Sequence, residues 1–342
     1  MTNRELAKLL NVSPASLSLI LNHKPGISEK TRNRVFRMLT DLGYSHLIKP
    51  QSPQETFKTI CFVVYKRHGK ILNQHPFFML MMESIEAQSK KHQCNVLVTT
   101  IDGKQRQEEQ VLSLNTMGVE GALVFATEMT ESDIAYFSHL QIPWVAMDND
   151  FSCLDINTVS INNQMGTYQA ISHLAAMGHK EIGYLQSVDS ISSFEERERG
   201  YRDAMARYRL FFEPRYCYRL RQSEEGSYQD FKLQMTERRP LPTAFVADDD
   251  TIAIGAIRAL TENGYQVPED ISVVGFNNRP NCEIVTPSLT TIDVPKTSFG
   301  AEAVEALFRQ IERTGSENNL LRSSKVRIGT QLIERHSVKQ LI

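Results

Sequence analysis

Three consecutive carboxylates, Asp248-Asp249-Asp250, are the densest group of potential ligands in the chain. They follow a short β-rich run, Ala244–Ala247, and precede a helical one, Ile252–Asn263. Three adjacent side chains cannot converge on one ion without backbone contortion, so a metal site is the weaker reading. The stronger reading has one Asp capping the helix and another facing the space beyond the strand end. Arg197 lies near the start of a helix, where the helix dipole does not favour a cation. Its guanidinium is either a surface charge or a fork that grips sugar hydroxyls or a carboxylate. Asn277-Asn278 closes another strand-like run, Ile271–Phe276. Phe77, Phe78 and Tyr228 could stack on a sugar ring, although aromatic side chains are more often core.

These residues read as a binding site without chemistry. The chain contains no GxGxxG, no GxxxxGK[ST], no HExxH and no GxSxG. Its nine histidines show no ligand spacing, and its five cysteines are odd in number and scattered without a CxxC. No enzyme activity, cofactor, metal or disulfide framework is expected. No apolar run reaches about 18 residues and nothing resembles a signal peptide, so the expectation is a cytoplasmic protein without a membrane partner.

The elements that must position these groups alternate. Strand-like Thr59–Tyr65, Cys94–Thr100, Gly121–Ala126 and Trp144–Met147 are separated by helix-like Phe77–Lys91, Gln105–Met117 and Thr130–Leu140. The pattern resumes with helices over Gly166–Ala176, Glu195–Tyr208, Tyr228–Thr236 and Ile252–Asn263. The strands among them are Glu181–Leu185, Tyr216–Leu220, Ala244–Ala247 and Ile271–Phe276. Such alternation implies βαβ units on mostly parallel sheets. Two tandem α/β lobes would hold a ligand between the carboxyl ends of their strands.

Residues 1–44 read differently. Thr2 to Glu5 fits a capping box, and Leu6, Ala7, Leu9 and Leu10 form an apolar face. Ser13-Pro14 starts a second helix carrying Leu17, Ile20 and Leu21. Ser28 caps a third, with Val35, Met38, Leu39 and Leu42 as its stripe, and Gly43 ends it. Two short helices around a tight turn, braced by a third, make a helix-turn-helix head. Whole-chain charge is −2, yet residues 1–50 carry +5. A basic head on an acidic body suggests a polyanion partner for the head alone. Small residues at the start of the second helix (Ser13, Pro14, Ala15) allow close approach to a groove, with Ser18 and Asn22 adding polar contacts. Thr31 and Arg32 are candidate phosphate contacts, and Thr2 and Ser28 complete the candidate DNA-binding set. Leu19 either packs or offers an apolar contact to a thymine methyl.

The chain resembles the LacI/GalR family of bacterial transcriptional repressors along essentially its whole length. The resemblance is carried by Glu5 to Leu9, Val12 to Ser18, Leu21-Asn22, Ile27 to Arg32 and Leu42-Gly43-Tyr44 in the head. In the body it is carried by His75 to Phe78, Gly178 to Gly183, Arg197 to Tyr201, Asp250 to Ala256, Val267 to Phe276, Pro287 to Ile292 and Leu332 to Arg335. It implies a periplasmic-binding-protein-like body and a homodimer that binds palindromic operator DNA and a small effector, usually a carbohydrate. By position, Ser13, Ser18, Asn22, Ser28 and Thr31 fall where the family contacts DNA. Phe78, Arg197, Tyr228, Asp249 and Asn277 fall where it contacts effector. Departures are informative. Leu19 replaces a common Arg, Asn277 a common Asp, and Asp249 a common Asn. Pro50 and Pro53 oppose the family's hinge helix.

The expected organisation is a head over 1–44 and a linker over 45–58. The first lobe is built from 59–160 with 292–324, and the second from 161–291 with 325–342. No heptad tail follows Arg335, so a coiled-coil tetramer is not expected. A sugar-binding module without DNA function, or a sugar kinase or deacetylase, are the alternatives. The head speaks against the first, and the missing nucleotide loop or nucleophile cluster against the second.

Overall fold

The computed structural model describes residues 3–22, 24, 26–48, 58–69, 75–237, 240–314 and 322–341. They belong to two units, Met1–Phe57 and Lys58–Ile342. Thr2, Pro50 and Pro53 lie outside the described residues, as does the side chain of Phe77.

The head holds α1 (Asn3–Leu9), α2 (Pro14–Leu21) and α3 (Glu29–Asp41). Ser13 Oγ accepts the Ser16 N–H at 3.0 Å and Ser28 Oγ the Thr31 N–H at 3.3 Å, so two expected caps are in place. Gly43 takes φ +79°, the left-handed turn that ends α3. Leu6, Ala7, Leu10, Leu17, Ile20, Val35 and Leu39 form the core. Leu9 and Leu42, expected on buried faces, are 51% and 44% exposed. Leu9 follows Leu6 by three residues, but in so short a helix Leu6, Ala7 and Leu10 already fill the side facing α2.

The body opens with β1 (Lys58–Lys66), α4 (His75–Lys91), β2 (Cys94–Asp102), α5 (Gln107–Leu114), β3 (Ala122–Phe125), a one-turn α6 (Ile134–Phe137), β4 (Trp144–Met147) and β5 (Thr158–Ile161). Next come α7 (Asn163–Ala176), β6 (Ile182–Ser187), α8 (Ser192–Arg207), β7 (Cys217–Leu220), α9 (Glu224–Glu237), β8 (Ala244–Ala247) and α10 (Asp250–Glu262). Then follow β9 (Ser272–Asn277), a short α11 (Asn281–Ile284), β10 (Thr290–Asp293), α12 (Lys296–Thr314), β11 (Lys325–Ile328) and β12 (Gln331–Ile333).

Two six-stranded sheets result. The first runs β11-β5-β4-β3-β1-β2 with every neighbouring pair parallel. The second runs β12-β10-β9-β8-β6-β7 and is parallel except for β12 against β10. Strands β3, β5, β8 and β9 are buried along their whole length, as helices on both faces of a parallel sheet require. The chain passes between sheets after Ile161, after Asp293 and after Ile328. Residues 325–328, expected in the second lobe, are therefore a correction: β11 pairs with β5 in the first sheet. The expected helix over Thr130–Leu140 is another. It shrinks to a 3-10 turn at Glu131–Asp133 and α6.

One close approach matters for the site. A Cβ on Gly166 would stand 2.7 Å from the Phe276 ring, so only glycine lets α7 settle against β9 there.

Candidate functional site

The carboxyl ends of both sheets border one cavity of about 600 Å³, open mouth included. That size is ordinary for a small-molecule site. The first lobe contributes Phe78 of α4, Phe125 and Thr127 at the end of β3, and Asp148 just past β4. The second contributes Phe194 and Arg197 of α8, Gln222 past β7, Asp249 past β8, and Asn277 and Arg279 at the end of β9.

Arg197 is the buried anchor, 6% exposed. Its guanidinium lies 3.8 Å from the Phe276 ring centroid, on the ring that Gly166 admits. Nε donates to Asn163 Oδ1 at 3.0 Å, and a terminal nitrogen donates to the Asp248 carbonyl. Burial lowers its pKa, while the carboxylates of Asp248 and Asp249 oppose that shift. Each member of the acidic triplet has separate work. Asp248 accepts from Tyr184 Oη at 2.5 Å and the Ser187 N–H at 2.7 Å. Asp249 caps α10 through the Thr251 N–H at 2.8 Å and also lines the cavity. Asp250 accepts from Thr291 Oγ1 at 2.5 Å and the Arg279 N–H at 2.8 Å. Burial pushes Asp248 and Asp250 each up to about 7. Among the described residues, no group of three or more His, Cys, Asp or Glu is arranged to hold a metal ion.

Asn277 and Asp249, the two departures from the family pattern, are bonded to each other. Asn277 Nδ2 donates to Asp249 Oδ2 at 2.5 Å, and Arg279 reaches the same oxygen at 3.0 Å. The carboxylate has thus exchanged places with the amide across one hydrogen bond. On the facing lobe, Asp148 sits at φ +68° and accepts from Thr127 Oγ1 at 2.6 Å. Burial raises its carboxyl to about 6.

Four expected ligand residues therefore line the cavity: Phe78, Arg197, Asp249 and Asn277. Tyr228 does not. Its hydroxyl donates to Glu262 and accepts from Lys232 Nζ at 2.9 Å, and Arg258 stacks 4.0 Å from its ring centroid. It packs between α9 and α10. The reading by sequence missed Phe125, Thr127, Asp148, Gln222 and Arg279. A signal for four of them was available, because each follows a strand end by one or two residues.

In the head, Ser13, Pro14, Ala15 and Ser18 are exposed, and Leu19 is half-buried. Asn22 Nδ2 donates to the Ser18 carbonyl at 2.7 Å. Ser28 and Thr31 bond each other through their hydroxyls at 2.8 Å. Arg32 is occupied: it donates to the Ile20 carbonyl at 3.4 Å and the Lys24 carbonyl at 2.6 Å. It braces the carboxyl end of α2, where a cation also suits the helix dipole.

Residues 2–46 match the model of bacterial regulatory proteins of the lacI family, and residues 171–338 that of a periplasmic binding protein-like domain. The NTD biosynthesis operon regulator NtdR of Bacillus subtilis is 27% identical, over 97% of this chain and 98% of its own. The ribose operon repressor of Haemophilus influenzae is 28% identical over 91% and 92%. A crystal structure of the lac repressor dimer bound to operator and the anti-inducer ONPF has a similar fold. Its TM-score is 0.72, at 23% identity, over 99% of both chains. With a lacI-type head and a periplasmic binding protein-like body in one polypeptide, this chain belongs to the LacI family of bacterial regulatory proteins.

Proposed function

We propose that this protein is a transcriptional repressor whose affinity for a two-fold operator is set by a small carbohydrate held between its lobes. The observation that carries the reading is the coexistence of two surfaces in one chain. One is the exposed, small-residue start of α2, suited to a major groove, with Ser13, Pro14, Ala15, Ser18 and Asn22 nearest the bases and Ser28 and Thr31 at phosphates. The other is a cavity mixing Phe78, Phe125 and Phe194 with Asp148, Arg197 and Asp249, aromatic faces beside polar groups as a polyol requires. Binding to both lobes would favour their closed arrangement, and only such differential affinity can shift the operator-binding state. With Leu19 in place of a guanine-reading Arg, half-site recognition rests on Ser, Ala and Asn contacts.

The test is footprinting of the purified full-length chain on the DNA upstream of its own gene, repeated with a panel of sugars. Salt-sensitive protection of a palindrome, altered by a sugar, is the expected result. Sequence-blind binding would overturn the operator reading. Protection indifferent to every sugar that binds the protein would overturn the coupling.

A further inference from the structure

Past Thr127 and Ile191, the cavity described above adjoins a second, larger and more polar chamber, also walled by both lobes. Its charge is one-sided: Glu128, Glu131, Asp150, Asp189, Glu195 and Glu196 line it, against Arg67, Arg199 and His68. Several of these groups are already engaged. Arg67 pairs with Asp133 behind the wall. Glu128 accepts the backbone N–H groups of Arg67, His68 and Gly69, each at 2.9 Å. Glu195 accepts from Ser190 Oγ at 2.8 Å.

Asp150 and Glu196 are different. They come from opposite lobes, are 5% and 4% exposed, and share one guanidinium. Arg327 stands 2.6 Å from Asp150 and 3.5 Å from Glu196. Lys325 is turned to the carbonyl oxygens of Asp150 and Phe151, at 2.8 Å each. Arg199 is exposed. The second oxygen of Glu196 accepts from Asn163 Nδ2 at 2.9 Å. Asp150 Oδ1 is buried and has no partner. A buried carboxylate oxygen without a donor is rare enough to require an occupant. Burial and the nearby Asp150 both raise the Glu196 carboxyl, as two like charges under one cation should.

The missing occupant must donate a hydrogen bond and carry positive charge. A water molecule supplies only the first. A bare metal ion needs more converging ligands than the described residues arrange anywhere. An ammonium group meets both needs, and the aromatic inner chamber beside it suits the apolar face of a ring. We infer that the ligand of this cleft is an amine-bearing polyol, an amino sugar, whose ammonium sits at Asp150 and Glu196 in the outer chamber. The inference rests on the carbohydrate reading and narrows it. Such a ligand would also tie the two lobes together, since its ammonium touches one carboxylate from each.

Calorimetry on the full-length chain tests this with two matched pairs, glucosamine against glucose and galactosamine against galactose. At least one amino sugar should bind ten-fold or more tightly than its neutral partner. That advantage should vanish in Asp150→Asn and shrink in Glu196→Gln. Raising the pH above the ammonium pKa should abolish it in the wild type. Thermal melts of both variants show that they remain folded, and the pH arm needs no variant at all. Equal affinity within each pair, unchanged in Asp150→Asn, would overturn the inference while leaving a sugar effector in place. No binding by any of the four would remove the sugar reading and the inference together.

Discussion

At the scale of single residues, the cleft stores ionisation energy. Asp148 is raised to about 6, and Asp248 and Asp250 to about 7, all by burial. Between the ordinary carboxylate range and these values, the native state binds protons that the unfolded chain has released. Stability therefore falls as pH rises from about 5 to about 8. The lowered Glu262, at about 2, acts in the opposite sense only near and below the ordinary carboxylate range, so the window above pH 5 isolates the raised groups. Asp248→Asn keeps an oxygen for Tyr184 and Ser187 but cannot ionise. Urea unfolding between pH 5 and 8 should show its slope against pH flattened by up to about 1.4 kcal/mol per unit. An unchanged slope would mean that Asp248 titrates normally. Arg197 carries a second prediction. Arg197→Lys retains the charge but loses the planar face on Phe276 and the Nε bond to Asn163. It should lower unfolding free energy by about 2 kcal/mol and weaken sugar binding by a factor of ten or more, both measurable on one preparation.

At the scale of elements, the site depends on strand ends that bring side chains together only if the backbones nest. Gly275 shows the tolerance. A Cβ there would lie 2.2 Å from Asp250 Oδ1 and 2.8 Å from a Leu289 methyl, with no flexible tip to yield. Gly275→Ala should cost about 1–3 kcal/mol and release Asp250 from Thr291. A melting temperature equal to the wild type would show that β9 shifts freely. Much of this layer is legible in the sequence. Trp144–Met147 and Ala244–Ala247 match their strands residue for residue, because short apolar runs between turn signals have few alternatives. The triplet's division into a cap and a cleft-facing group follows from its place between strand and helix. Tyr228 misleads for a physical reason: a tyrosine on an amphipathic helix suits a ligand and a salt-bridged surface equally, and only the tertiary partners Glu262 and Arg258 decide. The Arg327 bridge is invisible in the sequence, since its three members are far apart and meet only because the chain returns to the first sheet at β11.

At the scale of the molecule, a palindromic operator demands two heads, and the body must supply the dimer. Ile284 of α11 is 79% exposed and Leu80 of α4 is 44% exposed, and the two residues line one shallow cavity reaching from lobe to lobe. Met79, its neighbour in α4, is 54% exposed. Exposed apolar groups from both lobes on one surface suit a self-complementary interface, where each residue meets its counterpart's surroundings across a two-fold axis. A charge introduced there is introduced twice. Ile284→Arg should therefore separate the protein into monomers in sedimentation velocity without lowering its melting temperature in dilute solution beyond the loss of association itself. Operator affinity should fall by about two orders of magnitude, because the second half-site no longer benefits from the effective concentration that the first provides. Sugar binding within one body should persist, since Ile284 does not line the inner chamber. A variant that stays dimeric would place the interface elsewhere. One that becomes monomeric but keeps full operator affinity would show that a single head suffices, contrary to a two-fold site.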